Sequence, residues 1–167
     1  MFNNSQFNLA VFFDNTFNDL KTLSKGVISE NLYAFEKHSN PFHFIQGVLN
    51  DQRGKGEIIN EIHIIAHGNE EAIFFSNKKF GFNDLKKAKV NLENLNLKKV
   101  VLWVCGIGSN KKFIEELGQI SGADIFTSEK IIDNRNQRTF NSVGNFLNFS
   151  EIFVYQFLLD WNGSLNW

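Results

Sequence analysis

Apolar residues in this chain fall into two kinds of pattern. Three segments are apolar almost without interruption: Asn8 to Phe13 (NLAVFF), Glu61 to Ala66 (EIHIIA) and Lys99 to Val104 (KVVLWV). Strands that show no polar alternation are those covered on both faces, as in the middle of a parallel sheet. Between them, apolar positions recur at helical spacing. Phe17, Leu20 and Leu23 predict a helix over Thr16 to Ser24, and Phe113, Leu117 and Ile120 predict another, capped by Ser109 or Asn110 and closed at Gly122. Strand and helix in alternation predict βαβ units and an α/β fold with a mostly parallel central sheet.

The remaining segments are read more coarsely. Phe42 to Gln46 is expected as a second strand, with Leu32 to Glu36 competing for that place, and Asp51 to Gly56 as a loop on its glycines. Ala72 to Ser76 and Lys79 to Phe82 read as a hairpin around Asn77-Lys78, followed by a short helix capped by Asn83. Ala123 to Thr127 is a further strand and Asp133 to Arg138 a polar loop. From Phe146 to Leu159 the chain is apolar without a clean period, and its stripe of Phe146, Phe149, Phe153 and Phe157 is expected to fill core or cover a sheet edge. No repeat or linker interrupts the chain, so residues 1–167 are expected to form one domain.

Composition narrows the function classes. At 167 residues with 43% hydrophobic and 21% charged, the chain is long enough to bury about 68–70% of its unfolded surface without disulfide or structural metal. A single cysteine excludes an internal disulfide. Seventeen Lys+Arg against eighteen Asp+Glu give a net charge of -1, with no block of like charge. No basic field is present to hold a nucleic acid. No run approaches 18 apolar residues, and Met1-Phe2-Asn3-Asn4 lacks the basic and apolar parts of a signal peptide, so neither membrane insertion nor cleaved secretion is expected. The cytoplasm is the default compartment, with export by a route that needs no N-terminal signal as the alternative. The 19 Phe, with plentiful Asn, Lys and Ile, are as readily a coding bias as a functional signal. The oligomeric state is not legible.

Chemistry concentrates where two of the apolar strands end, at His67-Gly68 and Cys105-Gly106. In parallel sheets ligands gather at the carboxyl ends of strands, which places both side chains on one rim. A strand-end thiol, an imidazole and glycine amides supply a nucleophile, an acid/base and oxyanion donors. The amides of the loop and helix after Cys105 are expected to point back at it and lower its pKa. The plainer alternative is a small buried cysteine and turn-forming glycines. Trp103 projects on the same side as Cys105 by strand alternation, where it walls the site or fills core.

Other motifs are incomplete. His63 and His67 lie four apart, but HIIAH lacks the glutamate of a zinc-protease helix and sits in a strand, so no metal is expected. Gly106-Ile107-Gly108 opens like a dinucleotide loop, yet Lys111 stands at the third glycine position, and no cofactor is expected. Cys105 and Lys111 have the spacing of a phosphatase loop with Lys in place of its bidentate Arg. That leaves a phosphate-binding loop at 105–111 as a weaker alternative.

Taken together, Phe12-Phe13-Asp14, IHIIAHG from Ile62 to Gly68, VLWVCGIG from Val101 to Gly108 and FIEELGQISGADIFTS from Phe113 to Ser128 resemble the bacterial domain of unknown function 4347, over about Asn8 to Ser128. That domain is grouped with the caspase-like, or clan CD, cysteine peptidases. The resemblance implies a caspase-like three-layer α/β/α sandwich acting on a protein or peptide substrate. It implies Cys105 as nucleophile, His67 as its partner, and the amides of Gly68 and Cys105 as the oxyanion site. It also implies that Asp14, at the end of the first strand, shapes the substrate pocket and favours Arg or Lys before the cut; a helix N-terminal or turn carboxylate is the alternative for Asp14. Val104, where the clan usually has a small residue, is expected to crowd the thiol. A non-catalytic interaction module of the same fold is the rival reading.

Overall fold

A computed structural model describes residues 8–35, 40–76, 78–153 and 163–165. Its centre is a five-stranded, wholly parallel sheet built from β1 (Leu9–Asp14), β2 (Leu32–Phe35), β3 (Glu61–Ile65), β7 (Lys99–Trp103) and β8 (Asp124–Phe126), in the order β2-β1-β3-β7-β8. The three uninterrupted apolar segments are the three inner strands. Between β3 and β7 the chain forms three short strands, β4 (His67–Gly68), β5 (Ile73–Phe75) and β6 (Lys78–Phe80), which make a separate antiparallel sheet. A final hairpin pairs β9 (Arg138–Phe140) with β10 (Phe146–Asn148).

Strand alternation divides the core in two. Ala10, Phe12, Ile62, Ile64, Val100, Leu102 and Val104 face one side, under α2 (Pro41–Gly54), α3 (Phe82–Lys87), α4 (Lys89–Leu92) and α5 (Lys111–Ser121). Leu9, Val11, Phe13, Ile65, Val101, Trp103 and Cys105 face the other, under α1 (Asn18–Ser24), Ile132, a 3₁₀ turn at Phe149–Glu151 and Leu165. Layers on both faces make this an α/β sandwich. Among the described residues no helix is long and apolar enough to cross a membrane.

Several expectations are corrected. Phe42 to Gln46 is helix, not strand, and Asp51 to Gly54 continues it. Asn40 accepts the Phe42 N–H at 3.0 Å and Pro41 follows at the first helical position, so the start is capped and preset. Phe42, Ile45 and Leu49 then form the buried stripe. The second strand is the competitor, Leu32–Phe35. The short helix after the hairpin is capped at Gly81, whose N–H is accepted by Asp84 Oδ2, instead of at Asn83. α1 starts two residues late because Asp14 Oδ1 accepts from both the N–H and the hydroxyl of Thr16, which holds that residue in a turn. The polar loop survives only as a turn at Asp133 to Asn136, after which β9 begins at Arg138. Of the phenylalanine stripe, Phe149 and Phe153 are core, Phe146 is half exposed, and Phe157 lies outside the described residues, as do Glu36 and Asn77.

Candidate active site

β3 and β7 pair in register with Ile65 opposite Trp103, and the Ala66 N–H donates to the Trp103 carbonyl. Two residues beyond that pair, the chain delivers His67 and Cys105 on the same face of the sheet. β3 does not simply stop there. It bends at Ala66 into β4, where His67 lies opposite Phe74 and Gly68 opposite Ile73. The His-Gly pair is therefore clamped in a second sheet that sequence patterning did not reveal. Gly68 is required by proximity: a Cβ there would stand 2.2 Å from Val104 Cγ1 and 2.8 Å from the Ala72 carbonyl oxygen. This also corrects the expectation about Val104. Its side chain points to the opposite face from Cys105 and packs on the Gly68 backbone, so it does not crowd the thiol.

His67 is buried, with its Nε2 2.9 Å from Asp19 Oδ2 and the Phe17 ring edge-on at 4.9 Å between centroids. Asp19 is in the first turn of α1 and half exposed. A carboxylate on one imidazole nitrogen fixes the ring orientation. Asp19 is separated from His67 by 48 positions and belongs to no motif with it, which is why sequence reading passed over it.

Cys105 is 1% exposed. Its Sγ accepts the Ile132 N–H at 3.1 Å. Burial pushes the thiol pKa up to about 11, against the opposing pull of the Ile132 and Leu165 N–H groups and the Ser164 hydroxyl, with the Asp133 charge raising it further. The expected low pKa is thus reversed in this conformation. The helix after Cys105 does not offset this, because α5 packs on the other face of the sheet, away from the sulfur. Gly106, at φ 71°, turns the chain out of the strand toward that face. The loop after it offers no phosphate cradle either. Gly106 N–H donates to the Lys130 carbonyl, Gly108 N–H donates to the Ser128 carbonyl, and Lys111 is held by Glu129 at 2.6 Å. A shallow cavity of about 250 Å³ reaches Cys105 from the side of Asn69 to Glu71 and of Glu129 to Ile131.

The last described segment, Gly163 to Leu165, lies across this region. Leu165 N–H donates to the Ile132 carbonyl at 2.9 Å, the Leu165 carbonyl accepts the Gly68 N–H at 3.3 Å, and Ser164 bridges antiparallel to Asp133. The tail gave no periodic signal, and nothing in the sequence pointed to this placement.

The two residues assigned to substrate binding are enclosed. Asp14 is fully buried: one oxygen accepts from Thr16, and the other accepts the Ser76 N–H at 2.8 Å, tying β1 to the β5–β6 turn. That is the geometry of the turn-carboxylate alternative. Trp103 shares the Cys105 face as alternation required, but it is 0% exposed and packs on the Phe149 ring, with 4.3 Å between centroids and a 33° tilt. Its indole N–H donates to His63 Nδ1 at 2.9 Å, and His63 Nε2 lies 2.7 Å from Glu61. An indole nitrogen only donates, so His63 must accept at Nδ1 and carry its proton at Nε2, toward Glu61. Burial raises the Glu61 carboxyl, and His63 with Lys99 more than offsets this, leaving it below its usual value. His63 is thereby a core histidine, apart from the His67 and Cys105 rim.

No curated protein and no solved structure matches the chain. A family model does, that of the domain of unknown function DUF4347, over residues 10–139. That span runs from β1 through the three inner strands, both rim residues and α5 into β9, and the chain belongs to the DUF4347 family.

Proposed function

We propose that this chain is a caspase-like cysteine endopeptidase or self-processing domain in which Cys105 is the nucleophile and His67 the acid/base. The observation that carries this is the delivery of His67 and Cys105, on one face, by the carboxyl ends of neighbouring central strands, with the Gly68 N–H beside them. Asp19 on His67 Nε2 adds the third, orienting group of a catalytic triad.

In the proposed reaction the Cys105 thiolate attacks a peptide carbonyl carbon, and the resulting oxyanion is met by the amides of Gly68 and Cys105. Collapse breaks the C–N bond as His67 donates a proton to the leaving amine. His67 then takes a proton from water, which hydrolyses the thioester and frees the thiol. The substrate is a protein or peptide. The test is to incubate the full chain with a peptide mixture, beside Cys105→Ala and His67→Ala, and read fragments by mass spectrometry. Both variants are expected to lose cleavage while keeping the fold; processing by both at the parent rate overturns the dyad.

One observation favours a second reading, a non-catalytic interaction module. The thiol is enclosed and its pKa stands near 11, so in this conformation it is protonated at neutral pH. The peptidase reading requires a conformation in which that enclosure opens.

A further inference from the structure

The enclosure of Cys105 has a definite composition. Part of it is core: Trp103 and Ile65 from the sheet and Ile132 beside it. The rest is the three-residue segment Gly163 to Leu165. The backbone of this segment pairs with Ile132 and Asp133 on one side and with Gly68 on the other. Backbone pairing of an extended segment is the way in which a cleft accepts a peptide as an added strand, with side-chain pockets deciding which peptide. The side chain that enters here is Leu165, which is 0% exposed and packs into the apolar cluster beside Cys105. Its carbonyl is the group on the Gly68 N–H.

We infer that the space over Cys105 is a peptide-binding cleft selective for an aliphatic residue of leucine size, and that the chain's own Ser164-Leu165 occupies it as a built-in competitor. Leu165 stands in the place of the residue whose carbonyl is attacked, because its oxygen takes the donor assigned to the oxyanion. The inference rests on that reading of Gly68 and Cys105. It replaces the expectation of Arg or Lys at this position: the Asp14 carboxylate that would have selected them is engaged by Thr16 and Ser76, whereas the side chain actually accommodated is aliphatic. In this closed form the thiol is shielded. Release of the segment exposes the thiol and the Gly68 N–H in one step.

The test is native-state alkylation of Cys105 by iodoacetamide at pH 8 in the full chain, beside Leu165→Ala and Leu165→Asp, with near-ultraviolet circular dichroism to confirm the fold. The variants are expected to react at least about tenfold faster than the parent, since less apolar contact holds the segment down. Folded variants whose thiol reacts no faster overturn the inference. Should neither variant fold, the parent decides: the Leu165 amide and the Cys105 thiol are expected to open together below the unfolding transition, and an amide that exchanges while the thiol stays inert overturns it. In Leu165→Ala, acetyl-Gly-Ser-Leu-amide is expected to restore protection where acetyl-Gly-Ser-Lys-amide does not; equal protection by both overturns the selectivity. These outcomes separate from those of the peptidase reading. Protection by the leucine peptide without cleavage leaves the cleft standing and removes the peptidase, while Cys105-dependent cleavage after lysine by a parent whose thiol is unshielded does the reverse.

Discussion

Asp19 Oδ2 lies 2.9 Å from His67 Nε2, joining the first turn of α1 to the rim of the sheet. The pair is asymmetric: His67 is enclosed and Asp19 is half exposed, so the carboxylate adds little to stability but holds the ring in one orientation. Asp19→Ala is therefore expected to change the unfolding free energy by no more than about 0.5 kcal/mol. Peptide cleavage is expected to fall on the order of tenfold. Urea unfolding and cleavage rates on the same preparation check both; equal rates in parent and variant remove Asp19 from the site.

Gly68 and Val104 form a steric pair. Gly68→Ala places a methyl group 2.2 Å from Val104 Cγ1, and overpacking of this kind costs about 1–3 kcal/mol. Val104→Ala is expected to restore part of the loss in the double variant, though not all, because the Ala72 carbonyl oxygen also crowds the site at 2.8 Å. A double-mutant cycle by urea denaturation reads the coupling. Strict additivity contradicts the pairing.

Trp103→Phe keeps a ring against Phe149 but removes the N–H that His63 Nδ1 accepts at 2.9 Å. The enclosed acceptor then has lost its donor, at a cost of about 1–3 kcal/mol. Urea denaturation of the variant is expected to show that loss with an unchanged far-ultraviolet spectrum. A neutral substitution contradicts the Glu61–His63–Trp103 arrangement.

The raised thiol pKa makes stability depend on pH in the alkaline range. Folding lifts the Cys105 pKa from 9.0 to about 11, so the unfolded chain gives up its proton first as pH rises. The contribution is complete below pH 9 and is lost between there and about pH 11. The parent is expected to lose roughly 2 kcal/mol relative to Cys105→Ala across that window. The difference between the two unfolding curves isolates this from lysine and tyrosine titration. Parallel curves indicate a thiol that is open to water.

The inner strands were legible because each is apolar on both faces, a pattern no amphipathic helix produces at that length. Asn110 and Gly122 bracket α5 as expected, with Asn110 accepting the Phe113 N–H at 3.1 Å. The second strand was misplaced at Phe42 to Gln46 because the decisive helix-start signal, Asn40-Pro41 just ahead of it, was not weighed. At the site, strand ends located His67, Gly68 and Cys105. What surrounds them was not legible: Asp19 reaches His67, and Ile132 and Leu165 reach Cys105, from distant segments, and burial of Cys105 reverses the thiol pKa expected from local sequence.

The most direct test of the account is covalent labelling with an acyloxymethyl ketone built on acetyl-Gly-Ser-Leu, read as the intact mass of parent, Leu165→Ala and Leu165→Ala/His67→Ala. Attack by the thiolate displaces the carboxylate and leaves a thioether on Cys105. The account predicts slow labelling of the parent, faster labelling of Leu165→Ala, and a fall of about 100-fold when His67 is also removed. A folded Leu165→Ala that takes no label, or one that labels equally fast without His67, contradicts a Cys105–His67 site beneath the Leu165 segment.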